Sequence, residues 1–213
     1  MPQTLEQMHA NPAAQTPMMR QFLSAKASHP DAIVFFRMGD FYETFFDDAV
    51  DAARLLDLTL TSRNKKDADP IPMAGVPHHA AKGYIRRLLS AGRKVAVCEQ
   101  VEDPKLAKGI VDRRVVQIVT PGVVLDTDAL DRGTRNYLAA VHRTTDDVYY
   151  LALVDASTGH RRTFQLESIH QVLDELERAD ATELLVGDVA GLKNHLTQES
   201  IRVPITHFPV ERS

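Results

Sequence analysis

Short apolar runs and helical hydrophobic periods alternate along the first 120 residues. Residues 31–38 (DAIVFFRM) are β-branched, aromatic and apolar, which is typical of a buried strand. Thr16-Pro17 predicts the start of a helix that ends near Ser28, before His29-Pro30. Further runs predict strands at 58–63, 95–101 and 114–120 and a helix at 79–91 that Gly92 ends. The pattern predicts a mixed α/β fold.

The stretch FFRMGDFYETFFDD, residues 35–48, is unusually rich in aromatic residues. Gly39 and Asp40 interrupt the first strand, and the spacing that follows predicts a helix over 41–57. Its buried face would contain the apolar positions Tyr42, Phe45, Phe46, Ala49, Ala53 and Leu56. Phe41 and Glu43 would lie on opposite sides of that face, each about 100° from its centre.

Two interpretations of Phe41 and Glu43 remain open on pattern alone. In the first, Asp40 caps the helix, Glu43 completes a capping box and Phe41 is a partly exposed staple. In the second, Phe41 is a rigid apolar wedge that unstacks a base step, which costs least where pairing is defective. A carboxylate beside it, which DNA repels, is then explained if it accepts a hydrogen bond from a base edge.

The segment IPMAGVP (71–77) follows a polar loop and is rich in proline and glycine. Such a segment is stiff and is predicted to be poorly suited to the middle of a sheet. Turn-forming residues then recur from Pro121 onward, so a linker is predicted at 121–132 between domains at 1–120 and 133–213. The second domain contains three strand-like runs, a helix at about 168–179 and two further strands, 183–187 and 204–208. This order predicts a mixed α/β domain with an antiparallel part.

Composition narrows the possible classes of function. The net charge is −4, but residues 1–120 contain 16 basic and 14 acidic side chains, whereas residues 121–213 contain 9 and 15. The two halves are therefore expected to have different partners, and a polyanion would be bound by local basic clusters in the first half. The single Cys98 lies in an apolar run and is expected to be a buried thiol. With no secretory signal or membrane-spanning run, a cytoplasmic location is expected.

Catalytic motifs give little support for an enzyme. The sequence has no P-loop, nucleophile elbow or HExxH motif, and the adjacent His78 and His79 would point apart on a helix. Asp155 follows an apolar strand, where an RNase H-type nuclease has a metal-binding aspartate. Because no second acidic residue on a neighbouring strand is evident, an Asx-type turn is the favoured interpretation of Asp155.

The run FFRMGDFYETFFDDA resembles the mismatch-recognition motif of the MutS family of DNA mismatch repair proteins, and Phe41-Tyr42-Glu43 matches its Phe-X-Glu. The likeness continues through DPIPMAGVPHHA, VAVCEQVEDP, VVQIVTPG, NYLAA and LVDASTG. It implies that Phe41 stacks at a mispaired base from the minor groove and that Glu43 hydrogen-bonds to that base. It also implies a mismatch-binding domain in the first half and an RNase H-like connector domain without nuclease activity in the second, which contacts a MutL-type partner.

The same resemblance implies that the family's full-length proteins contain further domains beyond the region matched here. The family continues through core, lever and clamp domains to a C-terminal ATPase that forms the homodimer, so this chain is interpreted as an N-terminal fragment with a truncated connector. No catalytic site and no cofactor are expected within it, since ATP and Mg belong to the full-length proteins. A metal-dependent nuclease using Asp155, or mainly a protein-interaction module, is the alternative.

Further DNA contacts are predicted more broadly. Met38 and Met73 fall in the matched motifs and would pack against sugar edges, although either would also suit a core. Basic residues in two clusters would contact phosphates. These are Arg63, Lys65 and Lys66 in one cluster and Lys108 and Arg114, beside Lys105 and Arg113, in the other.

Overall fold

The computed structural model describes residues 3–64, 69–102, 109–122, 136–187, 192, 196, 201 and 203–208. The chain forms two compact units, residues 1–119 and 120–213. Within the described residues, no helix combines the length and the apolar composition needed to cross a membrane.

The first unit is a mixed sheet with helices on both faces. Its helices are α1 (Leu5–Ala10), α2 (Pro17–Ser28), α3 (Phe46–Leu56) and α4 (Ala81–Ser90). Its strands are β1 (Ala32–Met38), β2 (Phe41–Phe45), β3 (Thr61–Arg63), β4 (Ile71–Pro77), β5 (Lys94–Gln100) and β6 (Arg113–Val119). Among the described residues the sheet has the order β3-β4-β2-β1-β5-β6, in which only the β1–β5 pair is parallel.

The two faces of this sheet are buried by different helices. On one face, here called the α2 face, Phe22 of α2 packs edge-on against Phe36 of β1 and Phe45 of β2, with ring centroids 5.8 and 5.0 Å apart. Cys98 lies in the same cluster and is fully buried, as predicted, and burial raises the pKa of its thiol to about 12. On the opposite face, here called the α3 face, Ala49 of α3 packs against Ala74 of β4.

The helix predicted over 41–57 is wrong for its first five residues. Residues 41–45 form β2, which pairs with β1 on one side and β4 on the other, so Asp40 is not a helix cap. The helix begins at Phe46, which has a φ of +54°. This left-handed conformation is rare for a bulky residue and separates strand from helix, and the burial of the Phe46 ring against Phe22 accompanies it. The six residues of the predicted buried face are all buried, as expected.

The prediction for residues 71–77 is also wrong, because they form β4, the second strand from the edge. The prolines are tolerated because of where they lie. Pro72 lies beyond the part of β4 that pairs with β2, and Pro77 is the last residue of the strand. Neither proline therefore removes a donor from the middle of the β2–β4 ladder.

The second unit contains strands β7 (Tyr137–Arg143), β8 (Tyr149–Asp155), β9 (Arg161–Leu166), β10 (Ala181–Gly187) and β11 (Ile205–Phe208) and helix α5 (Ile169–Ala179). Its described strands form a sheet in the order β11-β10-β7-β8-β9, with β10 parallel to both β7 and β11. Val172 and Leu176 of α5 belong to the buried core. The mixed α/β class with two sheets is confirmed.

Candidate nucleic-acid interface

A two-residue turn brings β1 and β2 together at one end of the sheet. Met38 and Phe41 face each other across the strands, and Gly39 and Asp40 connect them. Gly39 has a φ of +59° in the first central position of the turn, where a type II′ hairpin requires glycine. The glycine that the sequence places before Phe41 therefore determines the hairpin and with it the position of the ring.

Phe41 is the first residue of β2, and the residue is 48% exposed. Because side chains alternate along a strand, Phe41, Glu43 and Phe45 share the α2 face. Phe45 is fully buried under α2, whereas Phe41 is not covered. Glu43 thus lies beside Phe41 on one surface, and not on the other side of a helix as the predicted period required.

The Glu43 carboxylate is shielded but incompletely paired. Its side chain is 22% exposed, and Arg63 Nη1 lies 3.5 Å from Oε2. Within the described part of the chain, Oε2 is buried and accepts no hydrogen bond. Burial raises the pKa of Glu43, although Arg63 and Arg113 oppose the shift. The arrangement leaves an acceptor next to the exposed ring of Phe41.

A polar cluster on the α3 face holds this hairpin from beneath. Tyr42, between Phe41 and Glu43, is buried and its hydroxyl donates to the Glu99 carboxylate. Arg37 Nη1 and His78 Nε2 each lie 3.8 Å from the same carboxylate oxygen.

Two bonds extend this cluster to the turn itself. Arg37 Nε donates to the carbonyl of Gly39 at 2.5 Å, and the backbone N–H of His78 donates to the carbonyl of Asp40 at 2.8 Å. Sequence reasoning missed Glu99 and Arg37, since their roles depend on the sheet register.

The predicted basic clusters are placed only in part. Arg63 lies beside Glu43, and its guanidinium is 6.0 Å from the ring centroid of Phe45. Arg114 pairs with Glu99 across β5 and β6, which places it on the α3 face, and it forms an ion pair with Asp112 at 3.0 Å. Lys65, Lys66 and Lys108 lie outside the described residues.

Of the two described basic residues in the second cluster, Arg113 is the one that shares a face with Phe41. Its guanidinium lies 5.2 Å from the ring centroid of Phe36. Its Nε donates to the carbonyl of Arg37 at 2.6 Å and its Nη1 to that of Val111 at 2.8 Å. Arg113 therefore fixes the end of β1 that leads into the hairpin.

Met38 and Met73 both lie on the α2 face and are partly buried against the core cluster. Met38 is paired with Phe41, and Met73 is paired with Phe45. Both side chains thus support the core, and Met38 also borders the exposed ring.

Asp155, the candidate nuclease residue, forms the predicted Asx-type turn. Its Oδ1 accepts from the Ser157 N–H at 3.0 Å and from the Ser157 hydroxyl at 2.6 Å, and its Oδ2 accepts from Thr158 at 2.9 Å. The hydrogen bond from the Ser157 hydroxyl contributes most to lowering the pKa of Asp155. The described residues contain no group of three or more His, Cys, Asp or Glu side chains arranged to hold a metal ion.

Comparison with known proteins identifies relatives of this chain. The family model described as MutS domain I matches residues 16–128. The chain is 53% identical to the DNA mismatch repair protein MutS of Desulfatibacillum aliphaticivorans over 171 residues, which are 80% of this chain and 19% of that protein. It is 54% identical to MutS of Sorangium cellulosum over 180 residues, 80% of this chain and 20% of that protein. It is 51% identical to MutS of Myxococcus xanthus over 176 residues, which are 83% of this chain and 20% of that protein. The chain spans about a fifth of the length of these curated relatives.

Proposed function

Because this chain belongs to the MutS family, we propose that it recognises mispaired or looped bases in duplex DNA and serves DNA mismatch repair. In this proposal the first unit binds DNA through the surface formed by Phe41 and Glu43. The unit has a binding role and not a catalytic one. The observation that carries the proposal is an exposed ring beside a shielded carboxylate on one face of a hydrogen-bonded strand.

Phe41 is suited to act as the wedge. Phe41 is 48% exposed, whereas its strand is paired on both sides, so the ring projects from a backbone that two neighbouring strands hold in place. Inserting a ring between base pairs from the minor groove costs a few kcal/mol of stacking. That cost is lowest where a base pair is already defective, so insertion itself favours a mismatch.

Glu43 is suited to examine the base. Its side chain is 22% exposed and its Oε2 accepts no hydrogen bond within the described residues, so a base-edge donor that reaches the carboxylate would complete its pairing. A carboxylate at this surface also repels phosphates and weakens binding to ordinary duplex. Glu43 therefore weakens binding to DNA in general. A hydrogen bond to Glu43 offsets this repulsion only where a displaced base presents a donor.

A second proposal concerns the acidic half of the chain. Residues 121–213 contain 15 acidic and 9 basic side chains, a balance that favours a protein partner over DNA. We propose that this unit contacts a MutL-type protein. Binding of the isolated MutL-type protein at constant salt, with and without DNA, tests that proposal.

The test of mismatch recognition is Phe41→Ala in this chain, with binding to matched and G·T-mismatched duplexes measured by fluorescence anisotropy. Stacking of an aromatic side chain on a base contributes about 1–3 kcal/mol, so affinity for the mismatched duplex should fall about 5- to 150-fold. Affinity for paired duplex should change little, since phosphate contacts remain.

Tyr150→Ala is a matched control, because Tyr150 lies in the second unit and is 47% exposed. It should bind both duplexes as the unmodified chain does. Preference for the mismatch that survives in Phe41→Ala would refute the proposed function.

A further inference from the structure

Gly75 is a glycine in the interior of a strand, where glycine is unfavourable. It lies in β4 directly opposite Glu43 of β2, and it is exposed. Glycine in such a position weakens a strand, because it loses more conformational freedom on folding and has no side chain to pack. A reason for glycine here has to be found either in the fold or in what the fold binds.

The fold does not require a glycine at this position. The φ of Gly75 is not in the left-handed region, so any L residue can adopt its backbone conformation. A Cβ added to Gly75 would lie 3.4 Å from the carbonyl oxygen of Tyr42, which is ordinary van der Waals contact. Alanine would therefore fit without displacing a neighbour.

The added atom would instead project into the candidate interface. It would lie 3.8 Å from Cγ of Glu43 and 4.0 Å from Cδ1 of Phe41. The bare backbone of Gly75 thus forms the floor of a notch between these two side chains. Strand glycines often mark a place where a ligand approaches the backbone closely.

We infer that Gly75 is a specificity-determining residue, because its bare backbone admits the deoxyribose edge of the minor groove when Phe41 enters the base stack. This inference rests on the proposed function. The minor groove of ordinary duplex is about 6 Å wide, so a ring that enters it brings the groove wall against the neighbouring strand. A branched side chain at residue 75 would extend about 1.5 Å beyond the Cβ and occupy that space.

The test compares Gly75→Ala and Gly75→Val with the unmodified chain. Both substitutions should leave the thermal unfolding midpoint of the first unit unchanged or higher, because both restrict the unfolded chain and valine also suits a strand. Gly75→Val should nevertheless bind a G·T duplex at least about tenfold more weakly than the unmodified chain does. The affinity of Gly75→Ala should lie between those of Gly75→Val and the unmodified chain. The same duplex carries 2-aminopurine beside the mismatch, and the fluorescence of this base rises when protein binding unstacks it. The rise should be smaller with Gly75→Val than with the unmodified chain, because the base step is less unstacked.

Gly83→Ala is the matched control for these variants. Gly83 lies within α4, and a Cβ added there meets nothing within 4 Å. This change should raise the unfolding midpoint without altering DNA binding.

The outcomes separate the two ideas. If Phe41→Ala removes mismatch preference but Gly75→Val retains it, the inference about Gly75 is wrong and the proposed function stands. If Gly75→Val lowers both stability and binding, Gly75 serves the fold and the inference is also wrong. Mismatch preference that persists in Phe41→Ala refutes the proposed function itself.

Discussion

The hydrogen bond from Tyr42 to Glu99 is expected to stabilise the strand that carries Phe41. Tyr42 is buried on the α3 face, and its hydroxyl donates to a carboxylate that is also near Arg37 and His78. The change Tyr42→Phe removes this donor and keeps the ring, so the packing against Phe35 and His78 is preserved. The perturbation is therefore confined to one bond.

The expected loss of stability is about 1.5 kcal/mol. Hydrogen bonds to charged groups contribute about 1.5–3 kcal/mol, and the lower end applies because the Glu99 side chain is 28% exposed and keeps the Arg37 guanidinium as a neighbour. The first unit spans residues 1–119. At about 2.1 cal/mol/K of unfolding entropy per residue, this loss lowers its unfolding midpoint by about 6 °C.

Scanning calorimetry of the whole chain measures this shift, and the transition of the second unit is the internal reference. Tyr150→Phe is the control, because that exposed tyrosine lies in the second unit. A double-mutant cycle with Glu99→Ala, which removes the acceptor, should give a coupling of at least about 1 kcal/mol. A midpoint within 1 °C of the unmodified chain, or a coupling near zero, would show that the cluster does not hold β2.

Two further predictions concern ionisable groups. Burial raises the pKa of Glu43, so its contribution to stability is complete below the unfolded carboxyl pKa of about 4.3 and is lost as pH rises through the folded pKa. Glu43→Gln should therefore unfold at a higher temperature than the unmodified chain at pH 7 but not at pH 4. Its preference for mismatched over paired duplex should fall. Equal unfolding midpoints at pH 7 would contradict this reasoning. Asp155 has a pKa lowered chiefly by the Ser157 hydroxyl, so its contribution is present above the unfolded pKa of about 3.9 and is lost as pH falls through the folded pKa. Asp155→Asn should lower the unfolding midpoint of the second unit at pH 7 and reduce the acid sensitivity of that midpoint below pH 4. An unchanged midpoint would mean that the turn does not depend on the carboxylate.

The spacing of apolar residues predicted the helices and strands well where it fitted either a helix or a strand but not both. Helix α2 begins after Thr16, whose hydroxyl accepts from the Met19 N–H, and Gly92 follows α4 with a φ of +73°. Residues 41–45 were wrongly predicted as helix because β2 has buried side chains on both of its faces. Tyr42 is buried on the α3 face and Phe45 on the α2 face, so the strand lacks the apolar–polar alternation that would identify it.

The candidate site was predictable to the extent that it is local in sequence. Phe41 and Glu43 stand two residues apart, and their resemblance to a known motif marked them. Glu99 is 57 residues from Tyr42, and Gly75 meets Glu43 only through the register of β2 and β4. Arg113 and Arg114 are adjacent in sequence, and the pairing of β5 with β6 decides which of them shares the face of Phe41. Register is set by contacts across the whole sheet, which a single sequence does not display.

The position of Phe41 in a strand, and not in the first turn of a helix, affects how recognition deforms the two partners. A ring in the first turn of a helix would rest on backbone that has no hydrogen-bonded partner of its own. In β2 the residue is instead joined to β1 and β4, and Arg37 and His78 bind the two carbonyls of the adjoining turn. Displacing the backbone that carries the ring would break several of these bonds, so β2 yields less readily than a weakened base step. In the proposed function the deformation therefore occurs in the DNA, and affinity depends on how easily each site unstacks.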